Sequence, residues 1–397
     1  MILMMQIFPV NNSTKPLTPQ SIDIFCKVID NFGDIGVCWR LARDLKAESQ
    51  ATIRLWVDEL HSFGKIAPEL DPTLKEQIVQ GIHVLHWIND DAFDEQPAEM
   101  VIEAFACDPP PAFVQAMKGK TKLWLNLEYL SAEPWVESFH AQPSPQANGL
   151  VKHFFFPGFT GKTGGLLREK NLLSERDHWQ NNRQAQEKFL APFLNASQLA
   201  LWQQGTAIIN LFCYTSAPVN ELAQALANAK QAVLLLVPEG VAPSLEAEMA
   251  HICAISANPS QLQIIRLPFI DQRDYDRLLW LGSLNFVRGE DSFIRAIWAG
   301  KPFIWQIYEQ QENAHLVKLD AWLASSNTSK PVASMMRAWN NAASPGTFAL
   351  LLQDIFFNPA NRQQWQQEAH EYCQNLSKNN TLSLSILNIY QKTAQKV

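Results

Sequence analysis

Hydrophobic and polar positions along this chain of 397 residues follow two alternating periods. Residues 21–29 form an apolar run rich in Ile, Val and Phe. After a glycine-containing turn, residues 36–46 place Val37, Leu41 and Leu45 at four-residue spacing, one face of a helix. Short apolar runs at 52–57, 82–86, 100–104 and 122–127 read as further strands, with helical patterns between several of them. Such alternation predicts βαβ units and a mostly parallel sheet.

The rhythm breaks between residues 131 and 200. Pro134, Pro143, Pro145 and Pro157 sit among Gly149, Gly158, Gly161, Gly164 and Gly165, and a polar helical stretch follows at 175–186. The domain junction is expected there. Alternation then restarts, with strands at 206–212, 232–237, 261–267, 284–287 and 302–307 and helices at 220–229, 245–255, 274–281 and 292–299. Polar helices fill the remainder, and no fixed-period repeat is present. The expected plan is α/β: two Rossmann-like, doubly wound halves at 21–185 and 190–375, facing a central cleft. Residues 1–20 form a loose leader, and a terminal helix within 376–397 is free to pack back on the first half. In open α/β sheets ligands bind beyond the carboxyl ends of the strands, so the cleft is the expected site.

Composition narrows the function. A net charge of −7, with no block of Lys and Arg, argues against a nucleic-acid binder. The N-terminal Met1-Ile2-Leu3-Met4-Met5 lacks the basic flank of a signal peptide, and no apolar run approaches the roughly 20 residues that span a bilayer. Cys26, Cys38, Cys107, Cys213, Cys253 and Cys373 are scattered without a CxxC pair, as expected for reduced, largely buried thiols of a soluble, cytoplasmic protein.

Four segments at strand ends carry candidate chemistry. Asp30-Asn31-Phe32-Gly33-Asp34-Ile35-Gly36 occupies the slot of a dinucleotide fingerprint, yet has two of the three glycines and adds two carboxylates that repel a pyrophosphate. It suits a general base facing the cleft, although Asp34 could equally cap the following helix. Arg288-Gly289-Glu290-Asp291-Ser292 combines a fixed positive charge, a backbone that a ligand can approach, and the free amides of a helix start. A capped helix with a surface ion pair is its ordinary reading. Phe212-Cys213-Tyr214 and Pro268-Phe269 put aromatic rings at strand carboxyl ends, where they would sandwich a planar base or simply pack a core.

Two look-alikes fail. Gly158-Phe159-Thr160-Gly161-Lys162-Thr163 is two residues short of a phosphate-binding P-loop. His83 and His86 lie three apart on a strand, on opposite faces, and no other cluster has metal-ligand spacing. No metal or cofactor is expected.

With these motifs goes a resemblance to the EarP family of protein-arginine rhamnosyltransferases, which modify elongation factor P. It runs from about Ser21 to the C-terminal helices. It rests on the Asp30-to-Gly36 loop with Val37-Cys38-Trp39-Arg40-Leu41-Ala42-Arg43, on Arg288 to Ser292, on Leu127-Glu128-Tyr129-Leu130-Ser131-Ala132-Glu133, and on Phe155-Phe156-Pro157-Gly158-Phe159 with Thr163-Gly164-Gly165. The resemblance implies a GT-B fold, an acceptor-binding first half, a second half holding dTDP-β-L-rhamnose, and inversion at the sugar. It implies that Asp34 is the base, assisted by Asp30, and that Glu290 serves the nucleotide sugar. Arg288, Gly289, Asp291, Ser292 and Tyr308 would surround the diphosphate, and Phe212, Tyr214, Phe269 and Gln272 the thymine. A GT-B enzyme with a small-molecule or lipid acceptor, a non-catalytic nucleotide-sugar module and, more weakly, a nicotinamide-dependent oxidoreductase are the competing readings of the residues alone.

Overall fold

A computed structural model describes residues 17–30, 32–87, 95–255 and 261–395. Most of the expected leader, and Asn31 of the first loop, lie outside the described residues. The first half is built on β1 (Ser21–Cys26), β2 (Thr52–Val57), β3 (Glu76–Val79), β4 (Ile82–His86), β5 (Met100–Ala104), β6 (Leu123–Leu127), β7 (Pro143–Pro145) and β8 (Val151–Phe155). They form one sheet in the order β3-β4-β2-β1-β5-β6-β8-β7, parallel except for the outer pairs β3–β4 and β7–β8. The second half carries β9 (Ala207–Leu211), β10 (Val233–Pro238), β11 (Leu262–Leu267), β12 (Leu284–Arg288) and β13 (Phe303–Gln306), all parallel in the order β11-β10-β9-β12-β13. Helices cover both faces, which is why the central strands read as unbroken apolar runs rather than alternating ones.

Both sheets reverse their winding direction once. The switch lies between β1 and β5 in the first half and between β9 and β12 in the second. These are the points where neighbouring strand-to-helix connections diverge and open a crevice. The two motif loops leave β1 and β12, so each stands at a switch point.

Three expectations need correction. The first strand ends at Cys26 rather than at 29, because the chain turns away at Lys27 toward the loop that holds Asp34. The segment 131–200 is less irregular than its prolines and glycines suggest, since β7 and β8 lie within it and complete the first sheet. Finally, the stretch 175–186 is two helices, Leu172–Gln180 and Arg183–Leu190, broken where the Asn182 side chain accepts from the amide of Ala185 and starts the second.

The chain ends on the first half. Helix Leu382–Ala394 packs on helix Gly33–Ser49, and Leu382, Ile386, Leu387 and Tyr390 belong to the first half's core. Ser383 donates to Asp44 and Tyr390 to Glu99. The returning chain crosses Gly165, whose φ of +74° and lack of a Cβ are both required, because a Cβ there would stand 2.2 Å from the Asn380 carbonyl oxygen.

Candidate active site

The helix Gly33–Ser49 starts without a side-chain cap at Phe32. Asp34 is not its cap. Its Oδ2 instead reaches back to accept from the amides of Ile29 and Asp30, at 2.8 and 2.9 Å. One carboxylate oxygen is therefore fixed by the loop's own backbone. The other, Oδ1, has among the described residues only the Tyr129 hydroxyl at 3.5 Å, the outer limit of a hydrogen bond. Burial raises the affinity of Asp34 for a proton, the two amides lower it, and the Asp30 charge adds a smaller upward push. Asp30 accepts from the Tyr214 hydroxyl of the second half at 2.9 Å.

Opposite stands the loop after β12. Gly289 adopts a φ of +62°, and the Ser292 hydroxyl accepts from the Arg288 amide at 3.0 Å while donating to the Arg288 carbonyl. The Arg288 guanidinium lies over the rings of Phe212 (4.2 Å) and Tyr214 (4.7 Å) and donates to the Cys213 carbonyl. Among the described residues no carboxylate pairs with it. Glu290 accepts from the Leu130 amide of the first half with both oxygens at 3.1 Å, and burial pushes its carboxyl up to about 8.

Between the loops is a cavity of about 310 Å³. It lies beyond the carboxyl ends of β9, β10, β11 and β12, with Asp30, Phe32 and Gly33 closing it from the first half. Phe212, Tyr214 and Phe269 line it, with Phe269 half exposed against Phe32. Tyr308 is also half exposed and meets the edge of Tyr214 at 5.6 Å from just outside the cavity.

Beneath the cavity the halves are joined by charge. Arg40, buried in the first helix, donates to Asp291 at 2.9 Å and to Asp276 at 3.1 Å. Arg295 pairs with the same Asp276 and with Glu169. Burial of Glu169 is outweighed by Arg295 and Arg40, which hold its carboxyl at about 2. Gln272 donates to the Gly36 carbonyl and accepts from Arg43, both at 3.0 Å.

A family model described as Elongation-Factor P (EF-P) rhamnosyltransferase EarP matches residues 22–391. The chain belongs to the EarP family. It is 48% identical over 309 residues to a protein-arginine rhamnosyltransferase of Pseudomonas aeruginosa, covering 76% of this chain and 81% of the relative. A solved structure described as the structural basis for EarP-mediated arginine glycosylation of translation elongation factor EF-P superposes with a TM-score of 0.61 at 31% identity, over 94% of this chain and 99% of that one. MurG of Acinetobacter baumannii, 13% identical with a TM-score of 0.52 over 94% and 99% of the two chains, shares the fold. This EarP chain is a glycosyltransferase with the GT-B architecture.

Within the EarP cleft, the structure gathers Asp30, Phe212, Tyr214, Phe269, Gln272 and Arg288–Ser292 around one cavity, with Asp34 and Tyr308 beside it. Two of these side chains are also engaged by the first half. The Asp291 carboxylate is taken by Arg40, which leaves its backbone amide as the group that can face an anion, and both ends of the Gln272 amide are engaged by the first half. Sequence reasoning missed Arg40, Tyr129 and the loop Glu239–Ala242 after β10, which also lines the cavity. Tyr129 and Arg40 do stand in strings that carry the family resemblance. The 239–242 loop has no comparable signal. No helix of the described residues is long and apolar enough to cross a membrane.

Proposed function

We propose that this chain transfers L-rhamnose from dTDP-β-L-rhamnose to an arginine of elongation factor P, with inversion at the sugar and without a metal ion, in the cytoplasm. The observation that carries this reading is the pairing across the cleft: an Asp34 oxygen held among the described residues by the Tyr129 hydroxyl alone, at 3.5 Å, opposite an Arg288 guanidinium that no carboxylate among them neutralises.

The donor half supports a nucleotide diphosphate. Phe212, Tyr214 and Phe269 offer ring faces to a planar base. Arg288 and the amides at the start of helix Asp291–Ala299 offer positive charge to the diphosphate. Membership in the EarP family supports rhamnose and the acceptor protein, and six free cysteines accord with a reducing compartment.

In the transfer, a guanidinium nitrogen forms its bond to the sugar C1 as the C1–oxygen bond to the diphosphate breaks. The electron pair leaves with dTDP, and the nitrogen's proton passes to Asp34 Oδ1. The substituted guanidinium keeps its single positive charge. A free guanidinium holds its protons above about pH 12, so Asp34 cannot deprotonate it beforehand. It accepts the proton as the C–N bond acidifies it. The growing charge on the leaving diphosphate meets Arg288 and the helix amides, which are already in place. Incubation with dTDP-rhamnose and elongation factor P should add one deoxyhexose, read by intact mass and mapped to an arginine. An unmodified acceptor would overturn the reading.

A further inference from the structure

The mechanism leaves one aromatic pair beside the base without a role. Tyr129 follows β6 and Phe105 follows β5, the two strands next to β1 on the far side of the first sheet's switch point. Their rings stack nearly parallel, 4.4 Å apart at 16°. Phe105 is partly buried against the core and covers one face of Tyr129, while Tyr129 stays 37% exposed with its hydroxyl 3.5 Å from Asp34 Oδ1.

This arrangement is held under strain. Phe105, Ala106 and Asp108 all have φ between +51° and +57°, a conformation that costs any residue with a side chain. The turn is held from below: Asn126 accepts from the Ala106 amide, and Glu103, fully buried and paired with Lys152, accepts from the Asp108 amide. A strained turn kept in place by two buried side chains presents one ring, Phe105, as the backing of another.

We infer that the Tyr129 ring, backed by Phe105, is the platform on which the acceptor guanidinium lies, and that it selects arginine over lysine. The inference rests on the proposed acceptor. A guanidinium is a flat, weakly hydrated cation that stacks on an aromatic face, whereas an ammonium is compact and strongly hydrated. The Tyr129 hydroxyl stands 3.5 Å from Asp34 Oδ1, so the platform's edge faces that carboxylate. A planar cation lying there has its edge nitrogens directed at Asp34 Oδ1. Tyr129 is a binding residue in this scheme and Phe105 a positioning residue.

The test compares Tyr129→Leu, Tyr129→Phe and Phe105→Leu in the full chain, with elongation factor P bearing its acceptor arginine or lysine in its place. Tyr129→Leu should raise KM for the arginine acceptor by about ten- to thirtyfold, the size of a desolvated cation–π contact, with donor affinity unchanged. Tyr129→Phe should keep KM near wild type, and Phe105→Leu should show the Tyr129→Leu pattern in weaker form. By calorimetry, the advantage of the arginine over the lysine acceptor should shrink in Tyr129→Leu by the same factor. The inference is overturned if Tyr129→Leu leaves KM unchanged, if it weakens both acceptors equally, or if Tyr129→Phe is as defective as Tyr129→Leu. Should Tyr129→Leu not fold, Tyr129→Phe and Phe105→Leu decide alone. A wild-type enzyme that leaves elongation factor P unmodified would instead reject the proposed function itself.

Discussion

The loop after β1 and the loop after β12 face each other from equivalent positions, each at a switch point and each opening a helix, yet their carboxylates are held in opposite ways. Asp34 is fixed by amides four and five residues away in its own loop. Glu290 and Asp291 are fixed by Leu130 and Arg40, some 160 and 251 residues distant in the other half. Asp34 is therefore held locally, whereas Glu290 and Asp291 are held across the cleft. Both loops also differ in the charge that no opposite charge among the described residues neutralises: a carboxylate on one side, a guanidinium on the other. That asymmetry is what a displacement needs, because one side must receive a proton while the other receives negative charge.

Replacing Asp34, the proposed base, tests the local side and should have the largest effect. Asp34→Asn is expected to lower transfer by roughly 10²–10⁴-fold, the usual worth of a general base, with donor affinity within a few-fold. Near-normal turnover would show that Asp34 is not the base.

The docked side is tested through Arg40. Arg40→Met leaves Asp276 and Asp291 short of a buried partner and should cost about 3–5 kcal/mol in denaturant unfolding, with weakened donor binding. Unchanged stability together with normal donor affinity would show that the second loop does not depend on the first half.

Glu290→Ala separates the two ligands. Donor binding should weaken by about 0.5–1.5 kcal/mol, as for a lost neutral hydrogen bond, while elongation factor P binds as before. Normal donor binding with loss of the acceptor protein would mean that the halves have been assigned the wrong way round.

A smaller effect appears in pH dependence. In the unfolded chain Glu290 ionises near its ordinary value of about 4.3, but burial holds it protonated in the resting fold until about 8. Between these values the folded state binds more protons, so stability should fall as pH rises across that window. Glu290→Gln should flatten this slope in unfolding midpoints measured from pH 5 to 8; an unchanged slope would assign it to other groups. The smallest expected effect is none at all: excess EDTA should leave transfer intact, because Arg288 and helix amides take the place of a cation. Activity lost in chelator and restored by Mg²⁺ or Mn²⁺ would contradict this.

Much of the plan was legible in the sequence. The apolar runs at 52–57, 82–86 and 100–104 are strands over those residues, and both motif loops stand between a strand and a helix, because strand and helix periodicity is local. The edge strand β3 carries no such signal: Glu76–Val79 is half polar, being covered on one side only. β7 was hidden by its own prolines, which an edge strand tolerates. What only the tertiary structure decided is where charged and polar side chains find partners. Asp34 looks like a cap in sequence and instead binds backward. Asp291 and Gln272 look like ligand contacts in sequence and, while lining the cavity, also hold the first half. Arg40 and Tyr129 acquire meaning only through groups that chain folding brings to them. Hydrophobic patterning is written residue by residue along the chain. The pairing of a buried charge depends on what lies a few ångströms away in space, and spacing along the sequence does not encode that distance.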